Sequence, residues 1–152
     1  MPLRRHLLVI ALLLATVPAA ALETFKTSEL TVVSASGPHK FTVELALNGA
    51  QMEQGLMFRH SLAPDAGMLF DFGAPINVTM WMKNTFIPLD MIFIRADGSI
   101  LRIAENTEPL SDRLIPSGGP VRAVLEVIGG TARKLGIAPG DKVAGSVFKN
   151  SP

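Results

Sequence analysis

The residues whose types and spacing could do chemistry are Arg59, Lys83, Asn84, Asp90 and Glu126. Lys83, Asn84 and Asp90 sit in the stretch 79–94, TMWMKNTFIPLDMIFI, among residues that otherwise pattern as buried. Asp90 enters an apolar run, and an isolated buried charge is so costly that its carboxylate must be paired, hydrogen-bonded or protonated. A cation from Lys83 or Arg59 is the expected partner. Glu126 is a second carboxylate on an apolar face, between Val124 and Ile128. If the strands carrying Asp90 and Glu126 are neighbours, the two acids could approach, and close carboxylates drive one pKa upward as in acid/base pairs. The cluster then reads either as a ligand-binding pocket, as a hydrolytic pair acting on a glycan, or as a structural network around a neutralised acid.

Methionine offers a second chemistry. Met52, Met57, Met68, Met80, Met82 and Met91 fall within one domain, and thioethers are soft ligands that select Cu(I). Met80 and Met82 are expected on one face of a strand, which suits shared ligation, although methionine more commonly fills irregular gaps in a core. Trp81 and Phe86 allow a third reading, an aromatic platform for sugar or peptide, against an ordinary core position for Trp81. No cofactor motif is present: there is no phosphate loop, no nucleophile elbow and no His-Glu zinc pair, and His39 and His60 lack metal-ligand spacing.

These residues must be positioned by strands. Pro88 pushes Ile87 toward extended geometry, so two short strands are expected, one ending near Lys83 and one starting near Leu89. Both faces of Leu89 to Ile94 are apolar, which predicts a strand covered on two sides. Elsewhere the pattern predicts strands over 30–34, 40–47, 68–72, 99–105, 121–128 and 142–148, with Asp97-Gly98 the strongest hairpin signal. Gly73 to Pro75 is expected to break a strand, and 106–120 to form a long loop that is functional or mobile. Asn48 is expected to cap a short helix reaching about Phe58, with Gln51 completing a capping box. Gly55 inside that helix implies a close contact or an early end. A second helix is expected over Thr131–Leu135, closed by Gly136. Many short strands and two short helices indicate a mainly β, β-rich α+β domain, a small antiparallel β-barrel-like fold.

The N-terminus has the form of a signal peptide over residues 1–21: Arg4 and Arg5, an apolar run from Leu7, and Ala19-Ala20-Ala21 as the cleavage site. The expected mature chain, 22–152, is one periplasmic or secreted bacterial domain without a stable membrane anchor. Removing Arg4 and Arg5 leaves 12 basic against 13 acidic residues. No basic cluster survives, which argues against nucleic acid as partner. Without cysteine, stability must come from packing rather than disulfides. The expected partner is a small ligand, an envelope glycan or a protein, bound by Arg59, Trp81, Lys83, Asn84, Asp90 and Glu126, without enzymatic activity.

The sequence also resembles a bacterial and archaeal group called domain-of-unknown-function family 192. The resemblance runs over about 41–147, from FTVELA through QGLMFRHSL, GMLFDF, MWMKNTFIPLDMIFI and ADGSI to VLEV and GIAPGDKV. It implies a compact, mainly β domain, often exported, with no assigned role. It directs attention to Gly55, Leu56, Met57, Arg59, Trp81, Met82, Lys83, Asn84, Pro88, Asp90, Glu126 and Asp141.

Overall fold

The computed structural model describes residues 21–148, so the expected signal peptide lies almost wholly outside the described residues. Seven strands appear in chain order: β1 Lys26–Ser34, β2 Gly37–Ala46, β3 Ala66–Met80, β4 Leu89–Ile94, β5 Ile100–Thr107, β6 Ile115–Ile128 and β7 Lys142–Gly145. Two short helices, α1 Gly49–Gln54 and α2 Thr131–Leu135, complete the domain. Among the described residues no helix is long and apolar enough to cross a membrane.

The strands form one mixed sheet in the order β5-β4-β6-β3-β2-β1-β7. Every pairing is antiparallel except β2 with β3, which run parallel and are joined by a crossover containing α1. The sheet curls until its ends approach. Ser99 bridges Lys142, and the Ile100 and Val143 amides donate to the Asp141 and Gly98 carbonyls at 2.9 and 2.8 Å. The result is a half-barrel, the β-rich single fold expected from the alternation pattern.

Two apolar layers cover the two faces of this sheet. The first draws Leu30, Val32, Phe41, Ile92, Leu125 and Phe148, among others, from across the whole curl, so it is the barrel interior. The second, with Leu56, Met68, Phe70, Met82, Met91 and Val124, lies outside β3, β6 and β4 beneath α1 and the 81–88 loop. Residues alternate faces along a strand, so β4 contributes Ile92 and Ile94 to the interior and Leu89, Met91 and Phe93 to the outer layer. Every residue of β4 is buried, as its doubly apolar pattern requires.

Several boundaries differ from expectation, each for a physical reason. Residues 73–75 do not end a strand. The ladder between β3 and β6 shifts register between Asp71 and Ile76, an irregularity that Gly73 absorbs at φ 79°. The expected long loop 106–120 shrinks because β6 already starts at Ile115. Beyond Ile76 on β3 and before Val121 on β6, these strands pair only with each other. Pro116 and Pro120 fit this two-stranded extension because no further strand asks for their missing amide protons. The strand expected to end near Lys83 is instead the tail of β3 and stops at Met80, leaving Trp81 to Pro88 as a loop.

The Asn48 cap of α1 forms as expected, but the reciprocal half of the capping box is shifted by one residue, to the Leu47 amide. The Asn48 side chain accepts from the Gln51 amide at 2.9 Å, and the Gln51 side chain accepts from the Leu47 amide at 2.9 Å. The helix ends early at Gly55, which adopts φ 48°, ψ −132°, and a Cβ there would lie 3.0 Å from the Phe70 ring. Early termination and close contact are thus both present.

Candidate functional site

Asp90 and Glu126 come from adjacent strands, but register separates them. Asp90 lies opposite Val127, and Glu126 opposite Met91. Asp90 therefore faces the barrel interior with Ile92, while Glu126 faces the outer layer with Val124. The structure does not bring the two acids together, and a hydrolytic pair made of them has no geometric basis.

Asp90 is fully buried, and among the described residues no cation pairs with it. Its Oδ1 accepts from the Asn106 and Gly130 amides at 2.7 and 3.0 Å, and its Oδ2 from the Ala132 amide at 2.8 Å. Three backbone donors satisfy the carboxylate, and two of them belong to the turn and first residues of α2. The expected cationic neighbour is thus replaced by peptide dipoles, which can stabilise a buried anion equally well. Asp90 ties the β4 strand to β5 and α2, a structural task.

Arg59 and Lys83 are engaged elsewhere. The Arg59 guanidinium donates to Glu44 at 2.9 Å, and the Lys83 ammonium stands 5.3 Å from the centre of the Trp81 ring. Asn84 takes a left-handed backbone at φ 53°, and its carbonyl accepts from the Phe58 amide at 2.9 Å. Lys83 and Asn84 border a shallow depression shared with Phe58 and Trp81, away from Asp90. Asp141 is structural: its Oδ2 accepts from the Ala138 amide at 2.8 Å in the turn before β7.

The methionine pair also separates. Met80 is half-buried in one pocket, whereas Met82 is buried and borders another, with its sulfur 3.1 Å from the Thr107 hydroxyl. The two thioethers do not converge on one point, because the strand that would align them has already ended. Among the described residues no group of His, Asp and Glu is placed to hold a metal ion either.

Glu126 is the acid at a cavity. Its residue is 4% exposed, flanked on the same face by Met68 of β3 and Met91 of β4, both fully buried. It receives no hydrogen bond and forms no ion pair with any described residue, and burial pushes its carboxyl up to about 8. It opens onto a pocket of about 340 Å³ between α1, β3 and the 81–88 loop. Leu56, Phe70, Phe72, Val78 and Met80 give apolar walls, Trp81 stands at the mouth, and Glu53, Thr79 and Thr85 add polar groups. Among the described residues no Lys, Arg or His lines it.

Trp81 is 43% exposed rather than part of the core. Phe58 lines a neighbouring depression with it and packs edge to face on the exposed Phe86 at a 6.1 Å separation, and the His60 ring lies tilted against Phe86 at 5.2 Å. Sequence reasoning singled out Trp81 and Glu126 but missed Phe70, Phe72 and Glu53. The alternation of Phe70 and Phe72 in MLFDF, on the face that packs with Met52 of α1 and with Leu56 just beyond it, was the available signal for the pocket wall.

Comparison with known proteins is consistent with this fold. No curated protein matches the chain. A crystal structure of a candidate transcription regulator from Sinorhizobium meliloti is similar, with 49% identity and a TM-score of 0.80 over 82% of this chain and 98% of that one. A protein of unknown function from Novosphingobium aromaticivorans is similar at 42% identity and a TM-score of 0.78, over 86% of this chain and 94% of that one. The profile of domain-of-unknown-function family 192, described as "Uncharacterized ACR", matches residues 31–145, and the chain belongs to that family.

Proposed function

We propose that this domain is a non-enzymatic binding module whose ligand occupies the pocket between Trp81 and Glu126. The observation that carries the reading is Glu126: a carboxyl nearly excluded from solvent, without a protein partner, facing a cavity large enough for a small molecule. Buried polar groups are normally satisfied, and one left open at a cavity wall is where a ligand's polar group belongs. The apolar walls supply affinity by burial, and the Glu126 carboxyl fixes orientation. The polar cluster expected from sequence is narrowed accordingly to Glu126 and Trp81, with Arg59 and Asp90 reserved for structural bonds and Lys83 and Asn84 for the outer rim.

Export belongs to the same proposal. The basic start, apolar run and small-residue site over residues 1–21 support delivery to the periplasm or medium, where the pocket would meet its ligand. Edman sequencing of protein from its own host should begin at or near Leu22.

Native mass spectrometry of that protein tests the binding role. A mass excess is expected, lost on denaturation and lost in a Met80→Trp variant that fills the cavity. A bare polypeptide mass, together with no pocket-residue shifts in a fragment screen by NMR, would argue against it.

A further inference from the structure

The cavity has a charge pattern that narrows the chemistry of its ligand, and this step rests on the binding role proposed above. Its ionisable lining consists of two acids, Glu53 near the mouth and Glu126 at the wall, with no base among the lining residues. Of the nearby cations, Arg122 is bound to Asp71 at 2.6 Å and Arg59 to Glu44, while the Lys83 ammonium stands 5.3 Å from the centre of the Trp81 ring on the outer rim. Three aromatic side chains, Phe70, Phe72 and Trp81, line the same space. Thr85, buried beside them, donates its hydroxyl proton to the Lys83 carbonyl at 3.2 Å and so faces the cavity as an acceptor.

We propose that the pocket takes a small primary ammonium compound with an apolar or aromatic body, its nitrogen bound by the Glu126 carboxylate. The charged groups of the lining are acids, and Gln54, Thr79 and Trp81 add only neutral polar groups, so the site favours a cationic ligand over an anionic one. A primary ammonium offers three N–H donors, a quaternary ammonium offers none, and a neutral alcohol offers only one and no charge. The aromatic walls add cation–π attraction and cover the body.

Binding is coupled to a proton. In the empty site Glu126 is protonated at neutral pH, because burial without a partner disfavours its anion. When R–NH₃⁺ enters, the carboxyl proton leaves to buffer and the ammonium keeps all its own, forming one carboxylate–ammonium pair. Glu53 is the other titratable lining group and Lys83, over Trp81, is the charged group of the 81–88 loop; Met68 and Met91 bring none. Below the empty-site midpoint, affinity therefore rises about tenfold per pH unit.

The experiment compares 2-phenylethylamine with its neutral analogue 2-phenylethanol by calorimetry and by NMR shifts of pocket residues, using wild type and Glu126→Gln. The glutamine variant is near-isosteric with the protonated acid, so it should fold. Supporting results are tighter binding of the amine than of the alcohol, a roughly tenfold gain between pH 6 and pH 7, and about one proton released per amine bound. In Glu126→Gln both the preference and the pH dependence should vanish. Equal, pH-independent binding of both compounds overturns the ammonium assignment and leaves the binding pocket standing. No binding of the amine at pH 8 also overturns it, and the pocket itself is then judged by the mass measurement above.

Discussion

Glu126 stands directly across from Met91 in the β4–β6 ladder, with Met68 on its other side, so its carboxyl is wedged between two fully buried thioether side chains. An acid in that position receives neither water nor a peptide donor except through the adjoining cavity. This placement governs how the molecule should respond to pH.

In the unfolded chain Glu126 titrates near its ordinary value of 4.5, and in the folded protein near 8. Between these values the unfolded state has lost a proton that the native state retains, so stability falls as pH rises through this window and levels off above it. The protonated acid thus contributes fully below about pH 4.5, and the difference across the window is on the order of a few kcal/mol. Urea unfolding of wild type and Glu126→Gln at pH 4.5 and 8.5 isolates the effect. The variant should gain on wild type at the higher pH; a constant difference would contradict the assignment.

Asp90→Ala should be severely destabilising. It leaves the buried Ala132 amide without its acceptor, at about 1–3 kcal/mol, and unpairs the Asn106 and Gly130 amides, whose residues are exposed and can turn to water. A loss of a few kcal/mol is a large fraction of the stability of a typical domain, about 5–15 kcal/mol. Chemical denaturation should show partial unfolding in buffer or a midpoint collapse, and a loss under about 1 kcal/mol would refute the structural role.

Gly55→Ala should cost about 1–3 kcal/mol, because an alanine at φ 48°, ψ −132° is strained and its Cβ meets the Phe70 ring. The same methyl intrudes on the cavity wall, so ligand affinity should fall with stability. Thermal melts and binding isotherms on this variant check both together.

Trp81 is the sole tryptophan, half-exposed at the pocket mouth, so its fluorescence reports occupancy without labelling. Acrylamide should quench it readily in the empty protein and less when a pocket ligand is bound. Unchanged quenching at saturation would place the ligand elsewhere.

Much of the scaffold was legible because its signals are local. The Asn48 cap, the Gly136 stop, the Asp97-Gly98 turn and the doubly apolar β4 all depend on residues a few positions apart. The site depends on pairings between distant segments. Asp90 meets amides at positions 106, 130 and 132, and no spacing rule reveals a backbone donor. Its separation from Glu126 follows from register, since a slip of one residue moves a side chain to the opposite face. Trp81 looked like core because its neighbours are apolar, but the strand ends at Met80 and the loop turns its ring outward.

The most direct measurement is the titration of the Glu126 side-chain carboxyl by carbon-13 NMR in the ligand-free protein. A midpoint near 8 is expected, the mark of an acid kept neutral against a cavity. A midpoint near 4.5 would mean that water or an unseen donor already satisfies it, and the binding role would lose its foundation.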